Sequence, residues 1–500
     1  MIPIPPLHPD TQTLLGRSPH QLLIDGQWTP AASGETYTSF NPSDGAVLAE
    51  LASAGTADVE RAVTAARRAS ENGWAAMLPR DRERLLRRWA DMIAAHGNEL
   101  AELESLDNGK PIHHTRAIDS KVAANLAYHY AGWPSKMVGY TAPVSIPNHF
   151  VYTRREPVGV AAIIIPWNYP LIHGMQKISP ALACGNTVIL KPAQLASLPL
   201  LRLGELALEA GIPPGVFNVI TGRGSVIGQA LAEHPGINKV QVTGSTAVGR
   251  SVIRASAGNL KRLALELGSK APNIIFADAD LDAAIPGAFR AAFGNSGQSC
   301  VAGARLYIHD SIFDEVLEKL IELAKTARIG NALDPDTELG PIVDAYQTKT
   351  ILDYIQSGID QGATMHCGGK RLTDGEFGKG FYIEPTIFAD VTDDMIISRE
   401  EIFGPVLPVY AFETEDEVIA RANDTEYGLA AGVWTRDLAR AHRVAAGIKS
   451  GVVWVNTYDL FDPSAPFGGF KGSGYGRDNG LEVLEAYTEV KSVWIATPAA

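Results

Sequence analysis

Val158-Gly-Val-Ala-Ala-Ile-Ile-Ile165-Pro-Trp-Asn168 is the stretch whose reading decides the fold. It is an apolar, β-branched run that stops abruptly at a proline and an amide. The same plan recurs downstream: Asn186–Leu190 ends at Lys191-Pro192, Val216–Ile220 at Thr221-Gly222, Lys239–Val242 at Thr243-Gly244-Ser245, and Leu263–Leu267 carries Glu266. Continuous apolar strands separated by helix-length segments are buried on both faces, as in a parallel, doubly wound sheet. Ligands of such sheets sit off the carboxyl ends of the strands. Polar groups and glycines gather at that edge, which makes it the candidate cofactor site.

Outward from this core, the first 140 residues open with strand-like pieces at 21–28, 37–41 and 47–51. Two amphipathic helices follow. Thr56 is a plausible N-cap for the first, with Val59, Ala62, Val63 and Ala66 on one face; Leu85, Leu86, Trp89, Met92 and Ile93 line the second. A second α/β region starts near residue 270. Its expected elements are a strand at 305–309, a helix over 311–329 ended by Gly330, and strands at 380–388, 406–412 and 451–456. A Gly-rich loop from Phe467 to Gly476, a helix and a β-prone tail at 490–495 close the chain. The Pro-rich first 17 residues read as a loose arm without an export or transit pattern.

Composition narrows the function classes. The chain has 500 residues, 46% of them hydrophobic, and a net charge of −13, enough for two or three full cores and unsuited to a general nucleic-acid binder. The longest apolar run falls far short of the roughly 20 residues that span a bilayer. Three cysteines cannot form a disulfide framework and point to a reducing, cytoplasmic compartment. No phosphate loop, nucleophile elbow, HExxH or CxxC occurs, and the pairs His113-His114 and His366-Cys367 read as solvated surface, so no metal is expected. Gly222-x-Gly224-x3-Gly228 has the wrong spacing for a dinucleotide fingerprint. Gly244 to Gly249 opens a helix after a buried strand, where free N–H groups suit an anion. Cys184 lies in an apolar run and reads as structural, and Cys367 as incidental. Cys300, in Gly294-Asn-Ser-Gly-Gln-Ser-Cys300-Val-Ala-Gly303, is bracketed by glycines and small polar residues and reads as an accessible thiol.

Seven segments then converge. Pro166-Trp167-Asn168-Tyr169-Pro170, Lys191-Pro192-Ala193, Thr243-Gly244-Ser245-Thr246, Leu265-Glu266-Leu267-Gly268, Gly297-Gln298-Ser299-Cys300, Glu401-Ile402-Phe403-Gly404-Pro405 and Pro466-Phe467-Gly468-Gly469 resemble the aldehyde dehydrogenase superfamily in order and spacing, from about residue 20 onward. The likeness is nearest to the broad-specificity, non-acylating, NAD(P)-dependent branch. It implies two doubly wound parallel-sheet α/β domains plus a small β oligomerisation element: a dinucleotide-binding domain from 1–137 and 157–267, a catalytic domain over 268–483, and bridging segments at 138–156 and 484–500.

The resemblance also implies roles. Cys300 is the nucleophile, Asn168 and the Cys300 N–H hold the oxyanion, and Glu266 activates the water that hydrolyses the thioester. Lys177 and Asp478 match a proton relay, with Asp478 standing where the family has glutamate. Cofactor contacts fall to Trp167, Lys191, Gln194, Gly244, Ser245, Gly268, Glu401 and Phe403. Gln194 replaces a common glutamate, so NAD with tolerance of NADP is expected. Ser269 replaces the family's usual second glycine. Tyr169, His173, Gln176, Phe293, Ser299, Val301, Asp459, Phe461 and Phe467 would line the substrate tunnel, suited to a hydrophobic or aromatic aldehyde. The β-prone segments 151–155 and 490–495 would join subunits into a dimer or tetramer. The alternatives are acyl transfer to coenzyme A, disfavoured by Glu266, and a binding protein that has lost catalysis, disfavoured by Cys300, Glu266 and Asn168 together.

Overall fold

The computed structural model describes residues 5–498. Alternation along the opening strand builds the first core. Ala161, Ile163 and Ile165 pack into one apolar cluster, and Val160, Ala162 and Ile164 into another on the opposite face. Val160–Ile164 is therefore buried on both sides. It lies centrally in an eight-stranded sheet of order Gln27–Thr29, Leu22–Ile24, Phe217–Val219, Thr187–Lys191, Val160–Ile164, Lys239–Thr243, Arg262–Glu266, Gly474–Tyr475. The five middle strands are parallel and run outward in both directions from Val160–Ile164, while the edges are antiparallel. The edge strand Gly474–Tyr475 comes from the far end of the chain and pairs with Leu265 and Glu266.

The second sheet has seven strands, ordered Thr364–Cys367, Thr386–Ala389, Val406–Phe412, Arg305–His309, Pro272–Ile275, Ala430–Trp434, Val452–Val455. All pair in parallel except the Thr364–Cys367 edge. Its faces carry separate cores, around Ile274, Tyr307 and Tyr410 on one side and Ile275, Leu306 and Phe293 on the other. A third, antiparallel sheet sets His149–Pro157 between Thr141–Ala142 and Thr488–Ala496.

Several local expectations are corrected. The N-terminal segment is not loose throughout: Pro9–Leu15 is a helix, with Pro9 in its first turn and Thr11 buried on Glu102 through a 2.7 Å hydrogen bond. Residues 1–4 lie outside the described residues. Thr56 is the first residue of its helix and Gly55 the N-cap, where Asp58 accepts the Gly55 N–H at 2.9 Å. The 311–329 helix is shorter, Phe313–Thr326, because Ala327 is extended and Ile329 bridges to Leu339. Pro385 splits the 380–388 strand into Tyr382–Ile383 and Thr386–Ala389. His114 is not simple surface, for its Nδ1 lies 2.9 Å from the buried carboxylate of Asp119.

Candidate active site

The carboxyl ends of the first sheet face loops of the second. Cys300 is half-buried there, and the loop preceding it is unusual: Asn295 and Ser296 both adopt left-handed backbone (φ 51° and 54°). Such strain persists only where surroundings impose it. Gln298 supplies much of that restraint, being 1% exposed. Its amide donates to Asn295 O at 3.1 Å and Pro341 O at 3.3 Å, and its carbonyl accepts the Val343 N–H at 2.9 Å. Ser296 adds a 2.6 Å bond to Gly340 O. Gly297 has to be glycine, since a Cβ would lie 2.2 Å from Gly404 O.

Asn168 reaches this loop from the first sheet. Its Nδ2 donates to Gln298 O at 3.1 Å, leaving the second amide hydrogen uncommitted. The backbone on either side of Asn168 is held from below. Asn108 Nδ2 donates to Trp167 O at 3.1 Å, and Lys110 Nζ sits 3.6 Å from the centre of the Tyr169 ring. Lys110 is fully buried and ion-paired to Glu104 at 2.8 Å and Asp119 at 2.5 Å. Sequence reasoning missed Lys110 and Gln298, and also Tyr458, whose hydroxyl donates to Val301 O at 2.9 Å.

Glu266 ends the strand Arg262–Glu266, buried, and neither of its oxygens has a hydrogen-bond partner. Burial, and then the charge of Asp478, push its carboxyl well above the usual range. Lys177 Nζ pairs with Asp478 Oδ2 at 2.7 Å, so the aspartate spans the gap to the lysine despite its shorter side chain. Gln241 links Asp478 to the Tyr487 hydroxyl. Burial raises the Cys300 thiol, and the charges of Glu401, Glu266 and Asp459 add to that while Lys177 opposes it.

On the cofactor side, Lys191 ends its strand, buried, with no hydrogen-bond or ion-pair partner among the described residues; burial pushes its amine down to about 8. Gly224 lies beside its tip, and Gln194 is half-buried three residues on. Ser245 follows Gly244 and caps the helix Thr246–Ala255, its Oγ accepting the Val248 N–H at 3.3 Å. Trp167 meets Phe403 edge to face at 5.4 Å, and Phe403 holds φ 56° because Gln347 Nε2 donates to its carbonyl at 3.0 Å. Glu401 Oε1 accepts the Ser269 N–H at 2.8 Å, its carboxylate lodged where a Cβ on Gly268 would come within 2.3 Å. An unpaired buried cation, a helix N-terminus and an acid beside an aromatic pair form a chemically suitable cradle for a dinucleotide.

The tunnel residues are only partly brought together. Tyr169 packs on His173 at 6.0 Å, and Phe461 on Phe467 at 5.3 Å. Burial, and then the charges of Lys177 and Lys110, push the His173 imidazole well below its usual range, and Gln176 is buried beside Lys177 on the same helix, Pro170–Ala183. Ser299 Oγ accepts the Val301 N–H at 3.4 Å, and Asp459, at φ 60°, is exposed to solvent. Phe293 is the exception: fully buried, it stacks on Phe289 at 5.0 Å in the core of the second sheet rather than among these rings.

A sequence model described as the aldehyde dehydrogenase family matches residues 28–493. An aldehyde dehydrogenase of Enchytraeus buchholzi is 47% identical over 481 residues, 96% of each chain. Retinal dehydrogenase 2 of Gallus gallus is 46% identical over 482 residues, covering 96% of this chain and 92% of its own. Among solved structures, an NAD+ complex of an aldehyde dehydrogenase from Bacillus cereus superposes with a TM-score of 0.96 at 44% identity, over 98% of this chain and 99% of that one. No described helix is long and apolar enough to cross a membrane. The chain therefore belongs to the aldehyde dehydrogenase family, whose NAD-dependent members oxidise small-molecule aldehydes to carboxylic acids.

Proposed function

We propose that this enzyme oxidises a hydrophobic or aromatic aldehyde through a covalent Cys300 intermediate released by water. The observation that carries this reading is the meeting of Cys300, Asn168 and Glu266 at one junction, with Glu266 buried and unpartnered. Cys300 Sγ gives its proton to solvent and adds to the carbonyl carbon, and the π pair of the C=O bond moves onto the oxygen as negative charge. The free hydrogen of Asn168 Nδ2 and the Cys300 N–H receive that charge, donors aimed in advance. NAD, when bound, supplies the acceptor for the hydride. What remains on Cys300 is a thioester.

Glu266 then takes a proton from the water that attacks the thioester carbon, the carbon–sulfur bond breaks, and the carboxylic acid leaves while the thiolate is reprotonated from solvent. The raised carboxyl of Glu266 suits a base working near neutrality. Lys177 and Asp478 form the ion pair beside it and pass that proton on. Glu266 also disfavours acyl transfer to coenzyme A.

Lys191 and Gln194 take the adenosine ribose, and Ser245 with the Thr246 helix end takes the pyrophosphate. Trp167, Gly268, Glu401 and Phe403 seat the nicotinamide half. An amide at Gln194 does not repel a 2′-phosphate, so NADP is accepted beside NAD. Rings at Tyr169, Phe461 and Phe467 suit an apolar substrate. Exposed Phe150, Val490 and Trp494 on the third sheet support assembly into a dimer or tetramer through that sheet. A nucleophilic thiol fits a reducing cytoplasm. The test follows NADH absorbance over a panel of aliphatic, aromatic and charged aldehydes with C300A as control. Loss of at least about 10⁴-fold in kcat with NAD binding retained is expected; a C300A enzyme with full activity would overturn the mechanism.

A further inference from the structure

Three lysines of this molecule are wholly enclosed near the site, and they are not alike. Lys110 and Lys177 are ion-paired, whereas Lys270 is 0% exposed and its Nζ has no hydrogen-bond partner among the described residues. A lysine so enclosed is ordinarily paired. Lys270 lies four residues after Glu266 and shares a small cavity with Ser269, Glu401 and Phe403. Across that cavity Glu401 is tethered by the Ser269 N–H at 2.8 Å and seated in the notch left by Gly268.

The amine and the carboxylate form no direct ion pair, yet each feels the other's charge. Burial pushes Glu401 up to about 7, with the Ser269 N–H and then Lys270 opposing it. Burial and the charge of Arg305 push Lys270 down to about 7, with Glu401 and Glu400 opposing them. The other groups that feel Glu401 are Cys300 from its loop, Tyr427 and Tyr354. Among the described residues, Lys270 is the cation whose charge acts on Glu401.

We propose that Lys270 is a positioning residue for the cofactor: its unpartnered ammonium, facing the same cavity as Glu401, favours the ionised carboxylate, which can then accept hydrogen bonds from the nicotinamide ribose. The inference rests on the role given to Glu401 above and adds the group that acts behind it. Without the ammonium, the Glu401 carboxyl titrates at higher pH, and NAD is bound weakly until the solution is alkaline enough to ionise it.

The test measures the Kd of NAD+ by quenching of protein fluorescence between pH 5.5 and 9 for the wild type, K270M, K270Q, K270R, E401Q and K270M/E401Q. K270M and K270Q are expected to bind NAD+ about fivefold more weakly at pH 7, about tenfold more weakly near pH 5.5, and to approach the wild type at pH 9, a displacement of about one pH unit. K270R keeps a cation and should remain within about threefold at pH 7. E401Q should weaken NAD+ and flatten its pH dependence, and K270M should then add nothing. Were K270M to misfold, K270Q and K270R carry the same comparison. A pH-independent loss in K270M and K270Q, or a Kd within twofold of wild type at every pH, would overturn the proposal while leaving Glu401 its role. An E401Q enzyme with unaltered NAD+ affinity would remove both.

Discussion

The first sheet offers its site residues from the ends of regular strands, whereas the second offers them from loops in conformations that L-residues rarely adopt. Lys191 and Glu266 are the last residues of Thr187–Lys191 and Arg262–Glu266; Lys191 pairs in parallel with Ile164, and Glu266 pairs in parallel with Thr243 and antiparallel with Gly474. Asn168 stands four residues past the end of the central strand Val160–Ile164. Opposite them, Asn295 and Ser296 precede Cys300 at positive φ, and Phe403 does the same beside Glu401. Those loops are secured by side chains from elsewhere: Gln298, Ser296 and Gln347 bind backbone atoms 43 to 56 residues away in sequence. Strand ends hold a group by local geometry alone; the loops hold theirs only while distant hydrogen bonds persist. The two sides should therefore fail differently when mutated.

E266Q tests the strand side and carries the largest effect. The amide cannot take a proton from water, so kcat should fall by about 10²- to 10³-fold. A burst of one NADH per site should precede the slow phase, with the acyl group found on Cys300 by mass spectrometry. Stability should move the other way. The folded-state carboxyl of Glu266 is raised above its unfolded value, so relative to a neutral residue its contribution is complete below about pH 4 and is lost as pH rises. E266Q should thus match the wild type in urea unfolding at pH 4 and exceed it at pH 8. A variant that lost stability at pH 8 would mean that Glu266 is held by partners rather than strained by burial.

Q298A tests the loop side, with a smaller loss of rate accompanied by a loss of stability. Three hydrogen bonds disappear and leave the buried Val343 N–H without its acceptor. The cost should be about 1–3 kcal/mol in urea unfolding. Because the loop carrying Cys300 loosens and Asn168 binds the Gln298 carbonyl, kcat should fall about tenfold while the Kd for NAD+ stays within twofold. Unchanged stability would show that the left-handed Asn295–Ser296 turn is held by Ser296 and Gly297 alone.

The same asymmetry decides what the sequence could reveal. The strand side is local chemistry: β-branched runs ended by Pro166, Lys191, Gly244 and Glu266 announce both the sheet and its polar edge. Asn168, Glu266 and Cys300 could be named because they stand within recognisable segments. Gln298 stands in one of those segments and Lys270 two residues past another, but their importance depends on Val343, Pro341 and Glu401, which no spacing connects to them. Lys110 was invisible for the same reason, being a lysine after a helix that becomes notable only once Glu104, Asp119 and Tyr169 enclose it. Gly474–Tyr475 is too short for any periodicity to register, and the helix Pro9–Leu15 is anchored by Glu102, 91 residues beyond Thr11. The place of Phe293 beside the Cys300 loop does not say which way its ring turns; the ring packs on Phe289, one helical turn back, in the core of the second sheet.

Q194E carries the smallest effect and asks whether the strand side can change ligand choice without touching its frame. Gln194 is half-buried three residues beyond Lys191, so the substitution adds a charge where solvent still reaches. A carboxylate there would repel a 2′-phosphate across a partly screened distance, for which about 1.4 kcal/mol, or tenfold, is a reasonable scale. The kcat/KM for NADP should fall by that factor, while NAD is expected within twofold because glutamate still accepts from the ribose hydroxyls. Urea unfolding should be unaltered, since no described hydrogen bond of the fold depends on the Gln194 side chain. Equal losses for both cofactors would mean that residue 194 supports the strand end rather than reading the ribose, and a wild type preferring NAD more than a thousandfold would remove the premise that its amide tolerates the phosphate.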